Sequence, residues 1–267
     1  GTSLSINVLK KLEIEFALIV LLESLGAFVL VTGGMLLLGE PVYEALVMGA
    51  IATATAPAAT VIVLKEYGVQ GELSATLMIV LALDEALALI ICNFVEPIAL
   101  MLCNSPLDKP FHSLLWIPTV KIVGSVLLGL IVGYFSQKAM AESDDKNHQV
   151  MLILATVFGL SALAIFLDLS PLITNISVGF TYRNFARKYL GISRHIDTLT
   201  IPLYAIFFIL AGTKLQITSI MSKSFLMIAL VYTLGRAVGK IGGATMGARL
   251  SNAPKKVQKY IGEGLLP

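Results

Sequence analysis

Long runs of apolar residues, separated by short polar segments, make up most of the chain. A helix needs about 20 mostly apolar residues to cross a bilayer, and eight segments are candidates. These segments are residues 15–38, 42–64, 74–95, 114–138, 149–167, 170–184, 197–215 and 223–249. The sixth is short, and the turn Asp168-Leu169-Ser170-Pro171 before it predicts a tight helical hairpin with the fifth. The pattern predicts an all-α, polytopic helical membrane protein.

The basic residues are distributed unevenly between the loops on the two sides of the predicted membrane. Of the 19 Lys and Arg residues, thirteen fall in the second, fourth and sixth connections or at the two ends of the chain, three fall on the other side, and three lie inside spans. Cytoplasmic loops carry the excess of Lys and Arg in membrane proteins. We therefore expect both ends of the chain to lie in the cytoplasm.

Composition supports a membrane protein and excludes several functional classes. Of the 267 residues, 57% are hydrophobic and 13% are charged, whereas soluble domains carry about 25% charged residues. The net charge of +2 gives no reason to expect a nucleic-acid partner. No nucleophile-base pair or metal-ligand cluster occurs in the spans, so an enzyme is the least favoured class and no cofactor is expected.

Five charged residues fall at mid-depth in the predicted spans. They are Glu23, Asp84, Glu85, Arg236 and Lys240. A charge at the bilayer centre costs about 2.5–3.5 kcal/mol on insertion scales, and residues of this kind commonly mark ion pathways. Arg236 and Lys240 are four residues apart and share one helix face. Asp84 and Glu85 point about 100° apart on their helix, so only one of them can face a cation on the last span.

The second span supplies oxygen ligands and a helix break. It contains Thr53, Thr55 and Pro57 among small residues, and a proline inside a helix removes a backbone donor and breaks the helix. A broken helix at mid-depth offers free carbonyls to an ion, as in many secondary transporters. Two structural readings stay open: the carboxylates form only an ion pair with the last span, or the small residues form only a close helix interface. Glu23 is expected to be structural and to pair with one of the two cations.

The sequence resembles a known family in five motifs that occur in that family's order and cover nearly the whole chain. The motifs are ATATAPAATVIVLKEYG, LMIVLALDEALALI, LDLSPLITNISVGFTYRN, PLYAIFFILAGTKLQI and GRAVGKIGGATMGARL. They are similar to those of the monovalent cation:proton antiporter superfamily, in its Kef/Nap-type sodium/hydrogen exchanger branch. The resemblance implies an inverted-repeat fold with unwound crossing helices, a homodimer in the inner membrane of a prokaryotic cell, and exchange of sodium or potassium for protons by alternating access.

The same resemblance implies roles for individual residues. Glu85 is the carboxylate that binds the cation and the proton, as a transient metal ligand together with Asp84. Asp84 pairs with Lys240, with Arg236 as the second candidate. The segment around Pro57 is the first crossing helix. The implied domains are an ion-binding core at 1–103, linker and dimerisation helices at 104–195, and helices that lead into a second core repeat at 196–267.

Two departures from the family pattern bear on these expectations. The family's electrogenic branch has Asp-Asp and its electroneutral branch Asn-Asp, whereas this chain has Asp84-Glu85, which favours the electrogenic type. The chain also matches the family from the third span onward and ends where the second crossing helix would begin, so it reads as truncated at both ends. Alternative functions are the membrane domain of a ligand-gated potassium efflux system and a non-transporting membrane subunit with structural charges.

Overall fold

The computed structural model describes residues 14–56, 60, 63–64, 67–68, 71–103, 111–142, 145–185, 204–214 and 222–266. No strand occurs in these ranges, and the regular elements are helices. The helices of ten residues or more are α1 Ile14–Leu37, α2 Val42–Thr53, α3 Glu72–Cys103, α4 Phe111–Ala141, α5 Lys146–Phe166, α6 Pro171–Phe185, α7 Tyr204–Thr213, α8 Lys223–Leu250 and α9 Lys255–Gly264.

Five of these helices are long and apolar enough to cross a membrane: α1, α3, α4, α5 and α8. Large apolar side chains on them lie exposed, among them Val29, Phe135 and Phe166. Exposed apolar surface on this scale is typical of contact with lipid tails rather than water. The protein is therefore a polytopic helical membrane protein, as the pattern predicted.

The predicted span at 42–64 does not form one continuous helix. Helix α2 ends at Thr53, and Ala54 is extended, with φ −66° and ψ 137°. Proline disfavours helical backbone in the residue that precedes it, so the position of Pro57 explains a break nearby; Pro57 itself lies outside the described residues. Thr60 and the pair 63–64 are helical again. The helix thus ends inside the segment that was expected to be broken.

Two other predicted spans also differ from the observed helices. The segment 170–184 forms α6, which has 15 residues and is shorter than the roughly 20 that a perpendicular crossing needs. Its threonine, serine and asparagine residues explain why the apolar pattern there was weak. Of the segment 197–215, residues 204–214 are described and contain α7, while 197–203 and 215 lie outside the described residues.

The helices divide into two compact units. The larger unit, Ile6–Ile122 and Met227–Pro267, contains α1, α2, α3, α9 and most of α8. Its main core is formed by apolar side chains of α1, α3, α8 and α9 and of the turn before α9. The buried members are Ile19, Val20, Leu77, Val80, Leu81, Ala244, Ala248, Ala253, Val257, Ile261 and Leu265.

Helices α1 and α8 approach each other through glycines of α8. A Cβ atom built on Gly239 would lie 2.6 Å from the backbone N of Ala27, and one on Gly247 would lie 2.6 Å from the Cα of Ile19. Gly243, between them, faces the backbone of Leu22 in the same way. Small residues at a helix interface let two backbones come close enough for direct contact. This contact determines how near the side chains of α8 come to those of α1.

The smaller unit, within Val123–Leu226, contains α5, α6, α7 and most of α4. The turn between α5 and α6 forms a tight hairpin, which confirms that prediction. Asp168 adopts a φ of 55°, and the N–H of Leu169 donates to the carbonyl of Ala164 at 2.8 Å; a left-handed residue followed by such a bond is a common helix terminus. Pro171 then begins α6, where its missing N–H costs nothing.

Candidate functional site

Asp84 lies fully buried in the middle of α3. Its Oδ1 accepts a hydrogen bond from the Ser24 hydroxyl of α1 at 3.0 Å. Its Oδ2 lies 3.4 Å from the Nζ of Lys240. A buried carboxylate is tolerated only where hydrogen bonds and an opposite charge replace the lost water. Asp84 is thus held by one hydroxyl and, more distantly, by one ammonium group.

Lys240 reaches from α8 into a group of four oxygens. Its Nζ is 2.6 Å from the hydroxyl of Thr55, 2.8 Å from the carbonyl of Thr53 and 3.4 Å from Asp84 Oδ2. It also pairs with Glu23 Oε1. The Lys240 side chain is fully buried. The expected pairing of Glu23 with one of the two cations is found, and that cation is Lys240.

The end of α2 presents its backbone to this group. The Thr53 hydroxyl donates to the carbonyl of Ala50 at 2.7 Å, so it is the Thr53 carbonyl, not the hydroxyl, that reaches Lys240. The hydroxyl of Thr55 does face the ammonium group, as a threonine in the extended segment can. Carbonyls at the end of a helix carry partial negative charge and attract cations. The break therefore contributes two neutral oxygens to the site.

Arg236, one turn before Lys240, binds backbone rather than carboxylates. Its Nη2 donates to the carbonyl of Ala54 and its Nη1 to the carbonyl of Leu266, each at 3.0 Å. Leu266 is the second residue after α9, so the guanidinium group joins the C-terminal ends of α2 and α9. The hydroxyl of Thr60 adds a weaker link, at 3.4 Å, to the carbonyl of Gly264. The two cations on α8 thus have different partners: Arg236 has carbonyls, and Lys240 has carboxylates and α2 oxygens.

Glu85 stands apart from this group. Its side chain is exposed on α3, although its neighbour Asp84 is fully buried. Successive helical residues point in directions about 100° apart, so the two carboxylates face different surroundings. The structure thus brings together Thr53, Thr55, Asp84 and Lys240, with Arg236 one turn away, and leaves Glu85 on another face. Pro57 lies outside the described residues.

Three groups in or next to the cluster were given no ion-binding role in the sequence analysis. Glu23 was noted for its depth but interpreted as structural. The position of Ser24 next to Glu23 could have identified it, because a hydroxyl beside one buried charge can donate a hydrogen bond to another. The carbonyl of Leu266 had no signal, because backbone acceptors have no signature in side-chain types.

The cluster contains the kinds of oxygen atoms that bind cations. Its oxygens come from carboxylates, hydroxyls and carbonyls, which are the ligands that hard cations prefer, and it lies at the break of a helix among membrane-spanning helices. At present a tethered cation, the ammonium group of Lys240, is surrounded by these oxygens. The oxygens of this cluster thus surround one positive charge.

Comparison with known proteins agrees with this chemistry and confirms the resemblance inferred from the motifs. The curated Na(+)/H(+) antiporter NhaP of Pseudomonas aeruginosa is 28% identical over 200 residues, which are 72% of this chain and 46% of that relative. The chain thus spans about half the length of the relative it matches. The model of the transmembrane sodium/hydrogen exchanger family matches residues 1–267. Because that match covers the whole chain, this protein belongs to the sodium/hydrogen exchanger family.

Proposed function

We propose that the protein exchanges a monovalent cation, sodium or potassium, for protons across a membrane by alternating access. The observation that carries the proposal is the buried group of oxygens around Lys240 at the end of α2. Ions cross a bilayer at sites of this kind, where broken helices offer carbonyls at mid-depth. The family match adds support, as does the name of the relative, an Na(+)/H(+) antiporter.

In this proposal the two adjacent carboxylates have different tasks. Glu85 takes up the cation and the proton in turn; its side chain is exposed on α3 and lies outside the buried cluster. Asp84, buried beside Lys240, is the second ligand of the cation. Each ionised carboxylate can bind either a proton or the transported cation. Two adjacent carboxylates therefore favour exchange of more than one proton per cation. The transport is then electrogenic.

The surroundings of the transporter are part of the same proposal. The protein works as a homodimer in the inner membrane of a prokaryotic cell, with both ends of this chain in the cytoplasm. The excess of Lys and Arg on one side of the spans supports that orientation. The bacterial source of the matched relative supports the compartment.

Proton flux in proteoliposomes tests the function. The full-length protein is reconstituted with a pH-sensitive dye inside the vesicles, and sodium or potassium is added outside. The inward cation gradient drives protons out, so we expect cation-dependent alkalinisation of the lumen in the wild type and its loss in Glu85→Gln. Glu72→Gln is the matched control, because Glu72 is an exposed carboxylate in the first turn of the same helix and should leave flux unchanged.

Two results would argue against the proposal. Normal flux in Glu85→Gln would remove that residue from the transport cycle. Absence of flux with both cations in a folded wild-type protein would favour a non-transporting subunit, in which the buried charges serve structure alone.

A further inference from the structure

Lys240 faces more oxygens than it can satisfy. A lysine ammonium group has three N–H donors, but four oxygens surround it: Glu23 Oε1, Thr55 Oγ1, the Thr53 carbonyl and Asp84 Oδ2. Asp84 is the farthest of the four, at 3.4 Å, while both threonine oxygens lie within 2.8 Å. The closer contacts of the ammonium group go to Glu23 and α2, and its contact with Asp84 is the longest.

The negative charges around Lys240 also outnumber its single positive charge. Glu23 and Asp84 are both fully buried and share one ammonium group. One ammonium group can neutralise only one of the two carboxylates, and Asp84 makes the longer contact with it. The second cation nearby, Arg236, is engaged with the carbonyls of Ala54 and Leu266. Among the described residues, Asp84 therefore keeps a carboxylate oxygen with only a long contact.

Close packing of α1 on α8 keeps Glu23 beside Lys240. A Cβ on Gly243 of α8 would lie 2.7 Å from the Cα of Glu23, so the backbones of α1 and α8 touch beside the ion pair. The other oxygen of Glu23, Oε2, is buried and has no hydrogen-bond partner in the part of the chain that is described. A buried carboxylate oxygen without a partner is unfavourable, and a cation placed between Glu23 and Asp84 would satisfy it.

We propose that Glu23 is the fixed counter-ion of Lys240, and that it thereby leaves Asp84 free to bind the transported cation, with Glu23 Oε2 as a further ligand. This inference rests on the proposed antiport and names a positioning residue for it on α1. The cation binds beside Asp84 while Glu23 continues to neutralise the ammonium group of Lys240. The ion pair of Glu23 and Lys240 therefore stays intact during cation binding.

Transport kinetics of Glu23 variants test the inference. In Glu23→Gln the ammonium group has Asp84 as its only carboxylate, so the two draw together and the cation must compete with Lys240. We expect the KM for the cation to rise by about 10- to 100-fold, the range found when a supporting residue of an ion site is removed. Glu23→Asp, which keeps the charge, should recover part of the affinity. Glu40→Gln, at the next carboxylate along the chain and beyond the end of α1, is the control and should keep the wild-type KM.

A purely structural role for Glu23 predicts a different result. It would lower the melting temperature of Glu23→Gln and leave the KM unchanged, which would overturn the inference while the antiport stands. If Glu23→Gln does not fold, the KM of Glu23→Asp decides, since a shorter carboxylate that supports the site should raise the KM and a merely structural one should not.

A stability measurement separates this inference from the proposed function. Melting temperatures of single and double variants give the coupling of Lys240 to each carboxylate. We expect the coupling of Lys240 to Glu23 to exceed its coupling to Asp84. The reverse order would overturn the inference even in a protein that transports, and the expected order would support it even if no flux were found.

Discussion

The direct contact between α1 and α8 leads to a prediction in which two neighbouring glycines behave in opposite ways. A Cβ on Gly239 would lie 2.6 Å from both the N and the Cα of Ala27, whereas one on Gly242 would meet nothing within 4 Å. Carbon atoms in good contact are about 3.5–4.0 Å apart. Gly239→Ala therefore forces the two helices about 1 Å apart at this point, while Gly242→Ala, on the same helix, leaves the packing as it is.

The magnitudes follow from this difference. Both variants gain about 1 kcal/mol in helix propensity when alanine replaces glycine. Gly239→Ala in addition overpacks the interface, which costs about 1–3 kcal/mol. The two variants should thus differ by about 1–3 kcal/mol in the free energy of unfolding. At about 2–4 °C per kcal/mol for a chain of this size, Gly239→Ala should melt about 2–12 °C below Gly242→Ala.

The assay is thermal unfolding of the two variants in the same detergent, followed by intrinsic fluorescence or by loss of the monodisperse peak in size-exclusion chromatography. Gly242→Ala should melt at or slightly above the wild-type temperature. Equal melting temperatures for the two variants would refute the reasoning, because they would mean that α1 and α8 are not in backbone contact beside the charged cluster.

Two further variants test other parts of the larger unit. Arg236→Gln should lower the free energy of unfolding by about 3 kcal/mol, since it loses charge-assisted hydrogen bonds to two carbonyls, and Arg236→Lys should fall between it and the wild type in a thermal melt. Asn252 has a φ of 57°, a conformation that costs most side chains about 1–2 kcal/mol; Asn252→Ala should therefore melt below the wild type, and Asn252→Gly should not.

Much of the architecture could be predicted from the apolar pattern, because every helix that crosses the lipid bilayer needs about 20 mostly apolar residues. Long helices such as α3 and α8 and the turn at Asp168 could be predicted in this way, and so could a break near Pro57. The lengths of α2 and α6 could not. A short helix next to a break and a full span have similar composition. Packing against the surrounding helices determines where each of these helices ends.

The partners of the charged residues were harder to predict. Helical geometry required Asp84 and Glu85 to diverge, but it could not say which of them is buried. The pairing of Lys240 with Glu23 depends on how closely α8 approaches α1, and that distance is set by Gly239 and Gly243 rather than by the charges. Sequence motifs identify the ionic residues of such a site, whereas the spacing of the helices decides which of them touch.

The ion pair between Glu23 and Lys240 also constrains how the protein is made. The two residues are 217 positions apart in the chain, and a ribosome that adds about 5–20 residues per second takes about 10–40 s to cover that distance. During this interval Glu23 has already been synthesised and its partner does not exist. The apolar residues of α1 must therefore suffice to insert a helix that carries a lone acidic group, against about 2.5–3.5 kcal/mol. The pair stabilises the assembled bundle and contributes nothing to the insertion of α1, so membrane integration of α1 is decided before the ion site can form.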